Sequence, residues 1–542
     1  MHKLLTVCAA LFFAACTPPA PSYNVEERSI AQLRADLESG AVTSEQLVHA
    51  YLDRIAAIDD AGPTLNSVIA LNPRALEQAR VLDAERAAGR IRGPLHGVPI
   101  LLKDNIESAD PMPTTAGSLA LINNFTNRDA PLVARLRAAG AIILGKTNLS
   151  EWANIRSPAS VSGWSAVGGL TRNPYALDRN TCGSSAGAGA AIAASLAAIA
   201  VGTETDGSIV CPSSVNGLVG IKPTVGLVSR THIVPISRTQ DTAGPMGRSV
   251  ADVALLLTAM AGTDPNDAAT AQSDNLRQDY SAALNANALR GRRLGVMRFA
   301  AGFHAGVDRR FEAALGELRA AGAEIIEIET APAGWDSIGQ DEFTVLLAEL
   351  RSDLDAYLAT TPGSVETRTL ADVIAFNVNT QAETVFFGQE LFEAAQATGG
   401  VSSPDYQAAQ RRAVAAASSA IDAMLQSNRV DALIAPTTGP AWTTDVVNGD
   451  HYVGGGASML PAVSGYPHVT VPMGLVDGLP VGLSFVGGAW TEAHLLSYAY
   501  AYEQSAQPRT PPGYLPTLNQ AEHIAPALAG QGIRQFPSPR DG

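Results

Sequence analysis

Hydrophobic residues at helical spacing predict a helix near the start of the chain. Thr43 and Gln46 form the pattern of a capping box, in which each side chain bonds the other residue's backbone N–H at a helix start. After them, Leu47, Tyr51 and Ile55 recur every four residues. This period places the three side chains on one face, which indicates an amphipathic helix that packs on a core.

Other boundaries follow from capping residues and helix breakers. Pro131 is predicted to start a helix that Gly140 ends, and the apolar residues 141–144 then predict a buried strand. Ser249 is the predicted N-cap of a later helix. Residues 186–201 are apolar and rich in alanine and glycine, which favours a buried helix packed closely on a sheet.

Short apolar segments predict further strands in the second half of the chain. They are residues 294–299, 324–327, 432–435, 469–472 and 482–486. Helical patterns lie between many of them, and such alternation favours a layered α/β fold around one sheet. Residues from about 300 to 430 are richer in helical patterns and are predicted to form a cap-like region beside a site.

The amino-acid composition and net charge disfavour some classes of function. Apolar residues make up 46% of the 542-residue chain and charged residues 16%, which is typical of a globular protein with a large core. The formal net charge is −15, without a long run of either sign. A nucleic-acid partner is therefore disfavoured, because phosphate binding requires clustered Lys and Arg.

The N-terminus has the features of a targeting segment. Residues 4–15 are apolar but too few to span a bilayer permanently. Residues 13–16 (FAAC) resemble a bacterial lipobox around Cys16, with Phe13 where leucine is usual. We expect a signal peptide over residues 1–16 and a Pro-rich tether over residues 17–28. The protein would then be periplasmic, either lipid-anchored through Cys16 or released after ordinary cleavage. A single domain over residues 29–515 and a C-terminal tail over 516–542 complete the predicted organisation.

Two glycine–serine loops compete to supply a nucleophile. The first, TCGSSAGAGA at residues 181–190, contains a G-x-S-x-G match that would make Ser185 a nucleophile and require a histidine base. Candidate bases downstream are His232, His304, His451, His468, His494 and His523. The motif is short and the segment before it is not strand-like. The second loop, VGTETDGSIVCP at residues 201–212, offers Ser208.

Together with GVPILLKDNI at residues 97–106, these loops resemble the amidase signature family. Residues 114–118 (TTAGS), 145–152 (GKTNLSEW), 221–224 (IKPT), 240–246 (QDTAGPM) and 478–482 (GLPVG) are similar to other blocks of that family. The resemblance extends over residues 29–504. Within the family the chain is most similar to bacterial peptide amidases, through residues 162–165 (SGWS), 182–185 (CGSS) and 203–212.

This resemblance implies a fold and a mechanism. The fold is α/β, with a large mixed β-sheet core covered by helices on both faces. The catalytic residues are Lys103, Ser184 and Ser208: Ser208 attacks an amide, Ser184 relays its proton and Lys103 is the base. Ser184 is expected to be held by a cis peptide bond to Ser185. No metal or organic cofactor is implied, and the chain contains neither a C-x-x-C pair nor a His-Glu-x-x-His motif.

Each implied role has a physical requirement. Lys103 acts as a base only when neutral, so its pKa must be lowered, and burial among apolar neighbours lowers it. The developing oxyanion needs preorganised donors, which we assign to the backbone N–H groups of Thr205, Asp206, Gly207 and Ser208.

Neighbouring residues are expected to support the two loops. Gly183 and Gly187 would give the first loop conformational freedom, and Ser185 would be a structural hydrogen-bonding residue. Glu204 and Asp206 are expected to brace the second loop. Cys182 and Cys211 are predicted to be buried free thiols, with a disulfide after export as the alternative.

We therefore expect an exported amidase that hydrolyses the C-terminal amide of peptides through an acyl-enzyme. Its predicted partner is the small-molecule or peptide amide substrate, without an obligate protein partner. Amides of other acids, including fatty amides, remain open on the same three residues. The alternatives are a Ser–His–Asp hydrolase that uses Ser185, a glutamine amidotransferase subunit of transfer-RNA charging, which the export segment disfavours, and a binding protein on an inactive scaffold.

Overall fold

The computed structural model describes residues 23–529. The predicted signal peptide, Cys16 and the end of the predicted tail lie outside these residues. The strands are, in chain order, β1 (Val68–Leu71), β2 (Pro99–Lys103), β3 (Ile142–Thr147), β4 (Trp164–Ser165), β5 (Gly169–Leu170), β6 (Ile199–Glu204), β7 (Val219–Lys222), β8 (Thr242–Gly247), β9 (Arg293–Met297), β10 (Glu324–Ile328), β11 (Ala432–Pro436), β12 (His468–Val476) and β13 (Leu479–Val486).

One large mixed sheet contains eleven of these strands, in the order β1-β3-β2-β6-β8-β7-β12-β13-β11-β9-β10. Strands β2, β3 and β6 run parallel to one another, as do β9, β10 and β11, while the central strands pair antiparallel. Strands β4 and β5 form a separate two-stranded ribbon. The predicted α/β class with one large mixed sheet is confirmed.

Helices flank this sheet. They are α1 (Ile30–Ser39), α2 (Ser44–Ile58), α3 (Ala75–Ala87), α4 (Pro131–Ala138), α5 (Ala186–Ala193), α6 (Val210–Val215), α7 (Val250–Met260), α8 (Ser273–Leu276), α9 (Ala305–Ala320), α10 (Trp335–Leu358), α11 (Leu370–Asn379), α12 (Glu390–Ala397), α13 (Pro404–Asn428), α14 (Met459–Ser464), α15 (Glu492–Ala506) and α16 (Ala525–Ala529). Within residues 23–529, none of the helices combines the length and apolar character needed to cross a membrane.

Capping residues predicted the helix starts well. The capping box of Thr43 and Gln46 opens α2, and Ser249 caps α7. The helix predicted over residues 186–201 is wrong in its second half, because α5 ends at Ala193 and β6 begins at Ile199. Every residue of that run is buried, and periodicity does not separate a fully buried helix from a fully buried strand.

The cap-like region is shorter than predicted. Helix α9 contributes Val307 and Phe311 to the main core, and β10 pairs with β9 at the edge of the sheet, so residues 305–328 belong to the central layer. The helix-rich region therefore starts at α10. There, Leu350 and Leu354 pack with Phe392 of α12 in a second apolar cluster.

Both described ends of the chain pack on the domain. Val25, predicted to lie in the tether, is buried, and Glu27 forms an ion pair with Arg509. In the predicted tail, the Thr517 hydroxyl donates to Asp178 at 2.7 Å, and Leu518 is buried. These four residues therefore belong to the folded domain and not to a tether or a tail.

Candidate active site

The sheet brings the first two parts of the site together. Strands β2 and β6 are parallel neighbours, with Leu102 opposite Val201. Because parallel strands end at the same edge of a sheet, Lys103 at the end of β2 lies beside Thr203 near the end of β6. Helix α5 begins directly after Ser185, which places residues 181–185 over the same edge.

Lys103 contacts the first serine loop. Its Nζ lies 2.7 Å from the Ser184 Oγ, 2.8 Å from the Thr203 Oγ1 and 3.2 Å from the Thr203 carbonyl oxygen. The Lys103 and Ser184 side chains are completely buried. The ammonium or amine group is thus held against the Ser184 hydroxyl in a site without bulk water.

Burial changes the acidity of this lysine. Desolvation lowers the pKa of Lys103 to about 7, against the opposing effect of the negative charges of Asp241 and Glu204. A large fraction of Lys103 is therefore neutral near neutral pH, and the neutral amine can accept a proton from Ser184.

Ser208 lies in the loop between β6 and α6 and is 8% exposed. Its backbone carbonyl accepts a hydrogen bond from the Ser185 N–H at 3.2 Å, which joins the two serine loops directly. The Glu204 carboxylate accepts from the N–H groups of Ile209 at 2.7 Å and Val210 at 3.0 Å, at the start of α6. Glu204 thus braces the loop, as expected from the sequence.

The same loop presents backbone donors. Among the hydrogen bonds within residues 23–529, none uses the N–H of Thr205, Asp206, Gly207 or Ser208 as donor to a protein acceptor. Gly207 has φ of +76°, a backbone conformation that favours glycine. The assignment of these N–H groups to the oxyanion stays a prediction.

Two details of the first loop differ from expectation. The cis peptide bond joins Gly183 to Ser184, one bond earlier than predicted. Gly183 and Gly187 do not have positive φ, so their backbone conformation does not require glycine. Glycine is needed at both positions because neighbouring atoms leave no room for a side chain. A Cβ atom on Gly183 would lie 2.1 Å from the Ser150 Oγ, and one on Gly187 would lie 2.3 Å from the Ser67 carbonyl oxygen.

The Ser185 hydroxyl has different hydrogen-bond partners from the Ser184 hydroxyl. Its hydroxyl donates to the Thr203 carbonyl at 3.1 Å and accepts from the Thr203 N–H at 3.3 Å. Within the described chain these are its only side-chain hydrogen bonds, so the structure shows no histidine base for this serine. The candidate histidines contact other groups: His232 Glu107, His304 the start of α9, His451 Asp445, His468 Ser484, His494 Tyr498 and His523 Asp477.

The prediction of free thiols is wrong, because Cys182 and Cys211 form a disulfide with their Cα atoms 6.0 Å apart. Cys182 precedes Ser184 by two residues and Cys211 follows Ser208 by three. The bond thus links the two serine loops covalently. Their separation of 29 residues along the chain did not distinguish the paired state from the free one.

A cavity of about 330 Å³ opens beside this site. Asn105, Thr203, Thr205 and Asp241 are among its lining residues. The Asn105 side-chain amide donates to the Thr203 Oγ1 at 2.9 Å, and the Thr205 hydroxyl donates to Asp241 at 2.6 Å. The cavity therefore reaches the hydrogen-bond network around Lys103.

Sequence reasoning missed several residues of this network. Asn105 and Thr203 lie inside the two quoted motifs, and Gln240 and Asp241 lie inside the block at residues 240–246. Their positions within those blocks were the available signal. Glu342 of α10, which contacts Gln240, belongs to no motif, and nothing in its local sequence indicates a place at the site.

Comparisons with known proteins agree with this geometry. A model of the family described as Amidase matches residues 46–496. An Arabidopsis thaliana protein named as a probable amidase is 39% identical over 507 residues, which cover 91% of this chain and 93% of that protein. The native peptide amidase of Stenotrophomonas maltophilia is 50% identical, with a TM-score of 0.85, over 90% of this chain and 99% of that one.

A second solved structure, a peptide amidase in complex with the competitive inhibitor chymostatin, is 51% identical with a TM-score of 0.87, over 90% of this chain and 99% of that one. The family model thus includes the segments that carry Lys103, Ser184 and Ser208. The chain therefore belongs to the amidase signature family and is an amide hydrolase that acts on carbon–nitrogen bonds.

Proposed function

We propose that the protein is a peptide amidase, which converts the C-terminal carboxamide of a peptide to a carboxylate and ammonia. The observation that carries this choice of substrate is the 50% identity to the peptide amidase of Stenotrophomonas maltophilia over nearly the whole of that chain. This match supports a peptide amide as substrate over a general carboxamide.

The proposed mechanism starts from the 2.7 Å contact between Lys103 and Ser184. Neutral Lys103 takes the Ser184 proton as Ser184 takes the Ser208 proton, and the Ser208 oxygen attacks the amide carbonyl. Backbone N–H groups of residues 205–208 stabilise the oxyanion. Ser184 then donates a proton to the departing ammonia, and Lys103 returns a proton to Ser184. Water attacks the acyl-enzyme by the same relay and releases the carboxylate.

The substrate proposal is tested by ammonia release from matched compounds. The panel contains an N-acetylated dipeptide amide, the same dipeptide with a free carboxylate, acetamide and a long-chain fatty amide. We expect the highest kcat/KM for the dipeptide amide and no ammonia from the free acid. Equal or faster turnover of acetamide or the fatty amide would contradict a peptide-amide specificity. A Ser208→Ala preparation made in parallel corrects for contaminating amidases.

We also propose that the protein is exported and works in the periplasm, anchored to a membrane through Cys16. The Cys182–Cys211 disulfide supports export, because disulfides persist in oxidising compartments and are rare in a reducing cytoplasm. Fractionation of a bacterium that expresses the full chain tests this. We expect the wild type with the membranes and Cys16→Ala in the soluble periplasmic fraction. Wild-type protein in the cytoplasm would overturn the proposal.

A further inference from the structure

The carboxylate of Asp450 binds the segment that lies beside the first serine loop. Asp450 is partly buried and belongs to the loop between β11 and α14, residues 437–458. Its carboxylate accepts hydrogen bonds from the Ser162 N–H at 3.1 Å and from the Ser162 hydroxyl at 2.5 Å. It also accepts from the Trp442 indole N–H at 3.2 Å and from the Asn180 side-chain amide at 3.4 Å. One carboxylate thus binds three residues that are far apart in the chain.

Asn180 extends this contact to the backbone of the first serine loop. Its side-chain NH₂ group donates to the Ser162 carbonyl oxygen at 2.9 Å, and its side-chain oxygen accepts from the Cys182 N–H at 2.7 Å. The Asn180 N–H donates to the Trp442 carbonyl oxygen at 2.7 Å. Because Cys182 precedes Ser184 by two residues, Asp450 and its partners hold the backbone that leads into Ser184.

Ser150 provides a second connection to Ser184. Its hydroxyl accepts a hydrogen bond from the N–H of Gly163, the residue next to Ser162, at 2.9 Å. The Ser150 N–H then donates to the Ser184 carbonyl oxygen at 3.0 Å. A Cβ atom added to Gly183 would lie only 3.5 Å from the Ser162 Cβ, so Ser162 packs against the residue before Ser184. Both ends of the segment 182–184 are therefore held by groups that connect to residues 162–163.

Removal of the Asp450 carboxylate would leave buried donors without an acceptor. Among the hydrogen bonds within residues 23–529, the Ser162 N–H and the Trp442 indole N–H donate to no other group. Both residues are buried, and an unpaired buried N–H group is costly. The segment around Ser162 is therefore expected to shift when the carboxylate is absent.

We propose that Asp450 is a positioning residue of the amidase reaction, which fixes Ser162 and Asn180 and through them keeps the Ser184 hydroxyl aligned with Lys103. The inference rests on the proposed function, because Ser184 relays protons only in that mechanism. The relay depends on the 2.7 Å contact between the Lys103 Nζ and the Ser184 Oγ. A displacement of about 1 Å at such a contact can lower the rate by about a hundredfold.

The experiment measures kcat and KM for ammonia release from the N-acetylated dipeptide amide in Asp450 variants. Asp450→Ala removes the acceptor and should lower kcat by about ten- to a hundredfold. KM should change little, because Ser184 acts in proton transfer and not in binding of the peptide. Asp450→Asn keeps one acceptor oxygen and loses the charge, so its kcat should lie between those of Asp450→Ala and the wild type.

Asp445→Asn is the matched control, because Asp445 lies in the same loop and its carboxylate bonds neighbours within that loop. It accepts from the Val447 N–H at 2.9 Å and from the Asn448 N–H at 3.0 Å. Asparagine supports the same local turn, so this variant loses one charge from the loop and should keep kcat within about twofold of the wild type.

A second comparison separates positioning from a general structural role. In a Ser184→Ala background the relay is absent, so Asp450→Ala should change the residual rate by no more than about twofold. A residue that only stabilises the fold would lower the rate by the same factor in both backgrounds. The residual rate is measured with concentrated enzyme.

Full kcat in Asp450→Ala would overturn the inference, as would an equal loss in the two backgrounds. Circular dichroism shows whether Asp450→Ala is folded, and Asp450→Asn in the two backgrounds decides the matter if it is not. Wild-type protein without turnover of any peptide amide, or a fully active Ser184→Ala variant, would instead refute the proposed function or its relay.

Discussion

Lys103 shows how burial converts an ordinary cation into a base. Its pKa is lowered to about 7 by desolvation, and the neutral amine is the form that accepts a proton. Activity should therefore rise with pH and level off above about pH 7, since protonated Lys103 at lower pH is inactive. The measurement is kcat/KM against pH, which reports the ionisation of the free enzyme.

Lys103→Arg supplies the control for this assignment. Arginine keeps a positive charge at all working pH values and does not act as a base, so kcat should drop by about 10²- to 10⁴-fold. An active Lys103→Arg variant, or a wild-type profile that is flat from about pH 5.5 to 8, would exclude lysine as the base.

The sequence identified some of the individual residues of the site and not others. Lys103, Ser184 and Ser208 lie inside motifs of the amidase signature family, so the resemblance was enough to identify them. Glu342 contacts Gln240 through the tertiary packing of α10, and the residues next to Glu342 in sequence form no motif that indicates this contact. The paired state of Cys182 and Cys211 likewise depends on how two separate loops are placed.

At the scale of the elements, α5 packs closely against the backbone at Ser67 and Asn148. The missing side chain of Gly187 makes room for the carbonyl oxygens of Ser67 and Asn148, at 2.3 and 2.5 Å from an added Cβ. Gly187→Ala should therefore lower the free energy of unfolding by about 1–3 kcal/mol, measured by urea denaturation.

Gly316→Ala is the matched control, because this glycine lies in α9 with open space around its Cβ position. Removal of helical glycine from an open site should raise the free energy of unfolding by up to about 1 kcal/mol. The same sign of change in both variants would contradict the packing argument for α5.

The Cys182–Cys211 disulfide links the loop before α5 to the start of α6 and should stabilise the folded protein. Replacement of both cysteines, Cys182→Ser with Cys211→Ser, should lower the free energy of unfolding by about 2–4 kcal/mol in urea denaturation. A reducing agent should destabilise the wild type and leave the double variant unchanged. Equal stability of wild type and double variant would show that the bond does not restrain the loops.

Element boundaries were predictable where local chemistry sets them. The capping box of α2 and the serine cap of α7 lie in a few consecutive residues, and both predictions are confirmed. The boundary between α5 and β6 was missed because an all-apolar, fully buried segment has no periodicity to separate helix from strand. The start of the cap-like region was placed too early, because the pattern of residues 324–327 predicted a strand but not its pairing with β9 in the central sheet.

For the whole molecule, the site depends on the order of strands in the sheet. The β2–β6 pairing places Lys103 beside the first serine loop, and the disulfide joins that loop to the second. Gln240 contacts both Glu342 of α10 and the Thr205 carbonyl oxygen of the second loop. The family resemblance implied a mixed sheet but did not give its strand order, which results from contacts between residues far apart in the chain. Because such contacts join distant parts of the chain, the motifs predicted the catalytic residues but not the residues that hold them in place.

The central claim is that Ser208 is the nucleophile of a relay through Ser184 and Lys103. The most direct measurement is the rate of ammonia release from an N-acetylated dipeptide amide by wild type, Ser208→Ala and Ser185→Ala. We predict turnover by the wild type, none above background by Ser208→Ala, and activity within about tenfold of the wild type for Ser185→Ala. Turnover that survives in Ser208→Ala and is lost in Ser185→Ala would contradict the relay.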